Sequence, residues 1–135
     1  MSNIQKPDSD ITAIIGHIQK GGKIQPFLKD IFLIEVYVAG LDYIENIGEV
    51  FSRIEVGDRL ELVREATNKY DKHAILVKYH GEKIGYVPRK ENYVLSKLMD
   101  GGKHLYGIVD SFGVDEVYEN YEFKFINFKI YLNDY

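Results

Sequence analysis

The stretch that decides the fold runs from Leu62 to Ala74 and reads LVREATNKYDKHA. Its apolar start is the end of a predicted strand, its centre is a polar turn, and Ala74 begins the next strand. The turn carries Asn68, Tyr70 and Asp71 within four residues, which is more polar chemistry than a plain hairpin requires. We therefore expect this turn and the strands beside it to form a binding surface.

Composition excludes several classes of protein. The 135 residues suit one domain with a single core, and 45% hydrophobic with 28% charged residues is the balance of an ordinary globular chain. The chain has no cysteine, which excludes a disulfide framework, a cysteine-ligated zinc site and a cysteine nucleophile. The polar N-terminus is unlike a signal peptide, and no apolar run approaches a membrane span. The expected location is cytoplasmic, with no membrane partner.

The net charge and the aromatic content limit the kinds of ligand that the protein is expected to bind. A net charge of −4, from 17 basic and 21 acidic side chains, argues against a protein that coats nucleic acid through bulk charge. It is compatible with a small site that grips one or two nucleotides. The 11 Tyr and 7 Phe belong mostly to the core or to sheet surfaces, but an exposed tyrosine is also a base-stacking residue.

Alternating apolar residues predict a series of short strands. Apolar residues fill both faces of the strand that begins at Ala74, so we expect it to be central. Gly85 lies inside a strand, which often marks a bulge or a close approach by another backbone or a ligand. The predicted strands are 31–39, 59–65, 74–77, 83–87 and 104–112, followed by a long last strand at 121–132.

Helical spacing of apolar residues predicts helices near 47–54 and 94–99, the second with Asn92 as a candidate cap. Five of these strands, with one helix between the fourth and the fifth, indicate a small antiparallel barrel with partial Greek-key character. The oligonucleotide-binding barrel is the nearest named architecture, so the predicted fold class is mainly β. Residues 113–120 read as an acid-rich loop, and the apolar phase changes between Phe125 and Ile126, which predicts a bulge or a sharp bend.

The N-terminal region has its own pattern. Four isoleucines at helical spacing, Ile11, Ile14, Ile15 and Ile18, precede the helix-stopping pair at 21–22. We therefore expect residues 1–30 to be a tail with a short docking helix, and residues 31–135 to be the barrel domain.

Each candidate binding residue also has a purely structural interpretation. Asn68 and Asp71 are ordinary turn residues that bond their own backbone. Tyr43, which follows a strand and Gly40, is either a rim tyrosine with a wet hydroxyl or a stacking platform for a base. The basic residues near the hairpin ends are either solvated surface charges or phosphate contacts; they are Arg64, Lys72, Lys83, Arg89 and Lys90.

Three segments taken in order resemble a HIRAN domain: GLDY at 40–43, VGDRLELVREATNKYDKHAILV at 56–77 and GEKIGYVPRKEN at 81–92, followed by an apolar helix. The resemblance covers roughly Phe32 to Val109 and is that of a stand-alone bacterial-type member. Its most specific part joins a turn signature to a second hairpin; these residues are Arg64-Glu65, Asn68, Tyr70-Asp71, Ala74-Ile75 and Gly85-Tyr86.

The resemblance implies a modified oligonucleotide-binding barrel. HIRAN domains are found fused to helicase-like remodelling ATPases and nucleases, and also alone. The best understood members bind single-stranded DNA and capture its free 3′-hydroxyl end. By resemblance, Tyr43 and Tyr70 fall where aromatic side chains stack on terminal bases, Asp71 falls where a carboxylate accepts a hydrogen bond from the 3′-hydroxyl, and Asn68 falls in the same turn.

The chain departs at two positions from the family members that capture DNA ends, and its sequence contains no ATPase motif. Asp42 occupies a position that is basic there, and Tyr86 occupies a histidine position. The sequence contains no GxxxxGK[ST] phosphate loop, and its four histidines show no metal-ligand spacing. We expect a binding module without catalytic activity, cofactor or metal.

The sequence therefore predicts a nucleic-acid-binding module for single-stranded DNA or DNA ends in DNA repair or processing, with a helicase, nuclease or other DNA-processing protein as the implied protein partner. The alternative is a protein- or peptide-interaction module, which the acidic net charge, Asp42 and the apolar N-terminal helix favour. An exposed edge strand could accept the peptide. The predicted nucleic-acid-binding residues are Tyr43, Arg64, Asn68, Tyr70, Asp71, Lys72, Tyr86, Arg89 and Lys90.

Overall fold

The computed structural model describes residues 29–118 and 121–134. The predicted N-terminal helix and nearly all of the proposed tail lie outside the described residues. The described chain contains six strands, two α-helices and one 3-10 helix, Leu41–Tyr43. The strands are β1 (Lys29–Tyr37), β2 (Arg59–Arg64), β3 (Ile75–Tyr79), β4 (Glu82–Tyr86), β5 (His104–Tyr118) and β6 (Tyr121–Asp134). The helices are α1 (Ile47–Arg53) and α2 (Arg89–Asp100).

All six strands form one antiparallel sheet in the order β1-β6-β5-β2-β3-β4. The meander β2-β3-β4 is followed by α2, which returns the chain so that β5 pairs with β2. Strands β2 to β5 form a Greek key, because β5, the fourth strand of this set, lies beside β2, its first. The prediction of a mainly β, oligonucleotide-binding-like fold is confirmed, and β3 lies between two neighbours as its apolar faces indicated.

The sheet is not closed into a complete barrel. Strands β1 and β4 are its two edges, and a single bridge joins the chain just after β1 to the end of β4. Ala39 N donates to Tyr86 O at 2.8 Å and Tyr86 N donates to Ala39 O at 2.9 Å. Gly85, at φ 152°, permits this approach, since a Cβ there would collide with the Ala39 carbonyl oxygen and with Val38. The sequence prediction of a close backbone approach at Gly85 is therefore confirmed.

The structure corrects two predictions in the C-terminal hairpin. The predicted loop at 113–120 is wrong for residues 113–118, because β5 continues to Tyr118 and pairs with β6 through this stretch. The predicted irregularity between Phe125 and Ile126 lies instead in the partner strand, where the register shifts between Val109 and Ser111. The apolar residues of β6 change from odd-numbered to even-numbered positions where the strand enters the core, because Ile126 is fully buried whereas Phe125 is only half-buried.

The core lies on the inner face of the curled sheet and under both helices. Val50 of α1 and Leu95 of α2 are buried against it. The strands contribute mainly β-branched and aromatic side chains, which pack well on a pleated surface. Those with the lowest exposure include Leu60, Ile75, Val77, Ile84, Val109, Ile126, Phe128 and Ile130.

Candidate functional site

The turn between β2 and β3 is organised by Asn68. Its side-chain Oδ1 accepts hydrogen bonds from the backbone N–H of Tyr70 at 2.8 Å and of Asp71 at 3.0 Å. Its Nδ2 donates to Glu65 Oε1 at 3.0 Å. Both ends of the amide are thus engaged within the protein, as is common for asparagine in turns. The result is a rigid loop that leaves the Tyr70 side chain 84% exposed.

Asp71 lies half-buried behind Tyr70 and is held by three groups. The backbone N–H of His73 donates to Oδ1 at 2.9 Å, and Asn92 Nδ2 donates to Oδ2 at 2.8 Å. Arg89 Nε lies 3.7 Å from the same Oδ2. Burial opposes ionisation, but the two hydrogen bonds and the Arg89 charge outweigh it, so the pKa of Asp71 lies below its ordinary value. The carboxylate is therefore ionised at neutral pH.

Tyr86, at the end of β4, is fixed by hydrogen bonds to its hydroxyl. The hydroxyl donates to Glu65 Oε1 at 2.8 Å and accepts from Lys83 Nζ at 3.3 Å. The Lys83 ammonium also lies 4.8 Å from the centre of the Tyr86 ring. Glu65 thus joins the turn to β4, because it accepts from both Asn68 and Tyr86. The Asn68 hydrogen bond is the largest cause that lowers the pKa of Glu65; the Tyr86 bond adds to it and burial opposes it.

These elements enclose an open pocket of about 440 Å³, which we call the end pocket. Its wall combines the turn, the bridge region after β1, the end of β4 and the start of α2. Arg89 is at the rim, where its Nη2 donates to the Tyr70 carbonyl oxygen at 2.7 Å. The residues that line the pocket are Ala39, Gly40, Asn68, Tyr70, Asp71, Ala74, Lys83, Tyr86, Val87 and Arg89.

Five of the nine predicted site residues line this pocket: Asn68, Tyr70, Asp71, Tyr86 and Arg89. Tyr43 lines a second, larger groove of about 770 Å³ that shares Ala39 and Gly40 with the end pocket. The Tyr43 side chain is 90% exposed. The fold therefore brings the three predicted tyrosines to adjacent surfaces.

The other three predicted residues lie apart from the pocket wall. Arg64 uses its guanidinium within the fold, where Nε is 2.9 Å from Asp100 Oδ1 and the two terminal nitrogens donate to the carbonyl oxygens of Ala74 and Lys72. Lys72 has an exposed side chain. Lys90 lines a separate apolar groove between β1 and α2.

Sequence reasoning gave no site role to Glu65 or Asn92 individually. Asn92 was expected to cap α2, which is wrong, because the helix begins at Arg89 and Asn92 lies inside its first turns. Its side chain, only 3% exposed, points to Asp71 instead. No local pattern could have identified these roles, since the Asn92–Asp71 and Tyr86–Glu65 hydrogen bonds each join residues 21 positions apart.

The charges of the pocket can discriminate between ligand groups. An ionised carboxylate accepts a hydrogen bond from a hydroxyl and repels a phosphate. Arg89 and Lys83 supply positive charge at the rim, and the exposed ring of Tyr70 offers a flat apolar face. Within the described ranges, no group of three or more histidine and carboxylate side chains is arranged to hold a metal ion. No helix in the same part of the chain is long and apolar enough to span a membrane.

The sheet order, the open edge and the end pocket define a small oligonucleotide-binding-like domain with a surface site. The family model that matches the chain is the HIRAN domain, over residues 31–132, and the chain belongs to this family. The HIRAN domain is known as a nucleic-acid-binding module.

Two solved structures resemble the fold. A protein from Lactobacillus plantarum is 30% identical, with a TM-score of 0.59 over 76% of this chain and 96% of that chain. The HIRAN domain of human HLTF is 18% identical, with a TM-score of 0.53 over 78% of this chain and 81% of that chain. No curated protein sequence matches the chain.

Proposed function

We propose that this chain is a non-enzymatic module that binds single-stranded DNA and takes a free 3′-hydroxyl end into the end pocket. The observation that carries the proposal is the Asp71 carboxylate, which faces the pocket and is ionised and oriented by His73 and Asn92. Each carboxylate oxygen has two acceptor positions. Each Asp71 oxygen therefore keeps capacity for one hydrogen bond from a ligand after those from the protein.

The carboxylate supplies the discrimination that end capture needs. A terminal hydroxyl donates to it, whereas an internal or terminal phosphate brings a second negative charge into a half-buried site. Repulsion is stronger there than in bulk water because the surroundings are less polarisable. Glu65, behind Tyr86, adds a second negative charge near the pocket. Arg89, at the rim, partly balances the charge of Asp71.

The aromatic side chains supply affinity. Base–aromatic stacking is worth about 1–3 kcal/mol per base and tolerates any base, because every base has a flat face. Tyr70 offers an exposed ring on one side of the pocket and Tyr86 a fixed ring on the other. Tyr43, across the Ala39–Gly40 ridge, is placed to stack on a neighbouring base.

Positive charge at the rim would hold the phosphate that precedes the terminal nucleotide. Arg89 and Lys83 line the pocket and are the first candidates, with the exposed Lys72 and with Lys90 as more distant ones. Arg64 is the weakest candidate, because its donors bind Asp100 and backbone carbonyl oxygens. The module would serve DNA repair or processing beside a helicase, nuclease or other DNA-processing protein.

Fluorescence anisotropy with strands labelled at the 5′ end tests the proposal. A 3′-hydroxyl strand should bind about tenfold or more tightly than the same strand blocked by a 3′-phosphate, in line with loss of a charged hydrogen bond. Asp71→Asn should reduce this ratio towards one. Equal affinities of the two strands for the wild type would show that end capture is wrong. Absence of binding by either strand at low salt would refute DNA binding itself.

A peptide-binding function is the second candidate. Strand β1 is an edge of the sheet, and it exposes Ile31 (42%) and Phe32 (51%). Edge strands can accept an extended peptide. On α2, beside the groove next to β1, Val94 is 64% exposed. Substitution of Ile31 and Val94 by Asp should abolish capture of an apolar extended peptide and leave DNA binding unchanged.

A further inference from the structure

An open apolar groove of about 330 Å³ lies between the edge strand β1 and helix α2. On the β1 side it is lined by Leu33 and Ile34. Leu33 is the extra residue of a bulge, because the pairing of β1 with β6 passes from Phe32 directly to Ile34. On the α2 side, Val94 is 64% exposed. Both walls therefore leave apolar side chains partly open to solvent, as on a surface that a further element covers.

The N-terminal segment, residues 1–28, carries an apolar stripe that needs such a surface. Its four isoleucines, at positions 11, 14, 15 and 18, fall on one face of the predicted helix. A helix of about two turns is marginal in water by itself, and Gly16 inside it costs about 1 kcal/mol relative to alanine. Burial contributes about 1.5–3 kcal/mol for each isoleucine side chain that is fully removed from water. The predicted helix therefore depends on docking for its stability.

The attachment of the segment favours this groove over other apolar surfaces. The segment joins β1 at Lys29, four positions before Leu33. The larger groove beside Tyr43 begins at Tyr37, eight positions from Lys29 at the other end of β1. The ten residues 19–28 can span up to about 33 Å when extended, which is ample for the nearer groove. A short flexible tether also holds its two ends at an effective concentration in about the millimolar range.

We propose that residues 11–18 dock as a helix in the groove between β1 and α2 of the same chain, with the isoleucine stripe against Leu33 and Val94. The inference goes beyond the proposed function and does not depend on DNA binding. The docked segment would occupy part of the surface that an external peptide would need. It would also hold α2 against the sheet, and α2 is the helix whose Asn92 donates to Asp71.

Thiol accessibility tests the proposal, because the chain has no cysteine of its own. Val94→Cys in the full chain places one thiol in the groove. Val56→Cys is the matched control, since Val56 is equally exposed, at 66%, and lies outside the groove. Both positions are on the surface, so neither substitution disturbs the core. The readout is the rate at which iodoacetamide alkylates each thiol in the folded protein.

The segment is varied in the background of each cysteine. One pair of substitutions, Ile14→Asn and Ile18→Asn, interrupts the stripe. The matched pair, Thr12→Asn and His17→Asn, lies off the stripe on the same predicted helix. The thiol in the groove should react about fivefold or more slowly with the unaltered segment and with the off-stripe pair than with the stripe pair, because only the undocked fraction reacts. The control thiol should react at one rate in all three forms.

Each other result would overturn the proposal. Equal rates of the groove thiol in the three forms would show that the segment does not cover the groove and leave it to an external partner. Equal loss of protection in both pairs would exclude a role of the stripe. A similar change at the control thiol would show that the effect is not specific to the groove. Protection that grows with protein concentration would assign the groove to the segment of a second copy.

Discussion

Asn92, inside α2, donates a 2.8 Å hydrogen bond to the Asp71 carboxylate in the turn between β2 and β3. Asn92 is 3% exposed, so this bond is made away from solvent. A hydrogen bond to a charged group is worth about 1.5–3 kcal/mol, and it also fixes the orientation of the carboxylate. The helix after the second hairpin therefore positions the residue that we propose reads the DNA end.

Asn92→Leu should weaken binding of a 3′-hydroxyl strand about tenfold, because Asp71 loses one of its donors and gains rotational freedom. Ser96→Ala is the control, since Ser96 is a buried polar residue of the same helix that donates to the Tyr93 carbonyl oxygen. It should lower stability without a change in affinity. Anisotropy titration at neutral pH gives the affinities. Equal affinities of the two variants would contradict a positioning role for Asn92.

Arg64→Ala should reduce the free energy of unfolding by about 2 kcal/mol or more, because it removes an ion pair to Asp100 and two hydrogen bonds to carbonyl oxygens. The side chain is 15% exposed, so water replaces those bonds only partly. Arg89→Ala, at 70% exposure, should leave stability nearly unchanged and weaken DNA binding. Urea denaturation and anisotropy separate the two. The reverse pattern would show that Arg64 is the phosphate contact.

Gly85→Ala should be strongly destabilising, by about 3 kcal/mol or more, because the new methyl group meets the Ala39 carbonyl oxygen and breaks the bridge between the sheet edges. Gly57→Ala isolates the backbone contribution, since Gly57 also has a positive φ, 94°, but open space around its Cβ position. It should cost about 1 kcal/mol. Thermal unfolding of both variants measures the difference, and similar losses would rule out the steric explanation.

Glu65 should make stability depend on pH in the acid range. Its pKa is lowered in the folded protein, so its contribution is fully present above the unfolded-state pKa of about 4.3 and is lost as pH falls through the lower folded value. Glu65→Gln should reduce this loss, because the glutamine oxygen does not titrate. Urea unfolding at neutral pH and between about pH 4.3 and pH 3 measures it. Glu61→Gln, at an exposed position of β2, tests whether removal of any carboxylate gives the same result.

Much of the fold could be predicted from local sequence. Alternating apolar residues placed β1 to β4 and the start of β5, and apolar residues at helical spacing placed both described helices. The reason is that the orientation of side chains repeats every two residues in a strand and every 3.6 residues in a helix. The end of β5 at 113–118 was missed because Val114 and Asp115 are both exposed, so burial does not alternate there and the apolar pattern is weak. The turn at Asn68 was identified because its hydrogen bonds are local.

The sequence by itself determined the strands, the turn chemistry and, through the motif from Arg64 to Tyr86, the family. Only the tertiary structure decided how these parts form a site. The Ala39–Tyr86 bridge, the Tyr86–Glu65 bond and the Asn92–Asp71 bond each join residues that are far apart in the sequence. Such contacts depend on how the sheet curls and where α2 packs, which no short window of sequence encodes. The two arginines differ for the same reason. Arg64 and Arg89 were equivalent candidates in the sequence, but Arg64 pairs with Asp100 and Arg89 lies at the pocket rim.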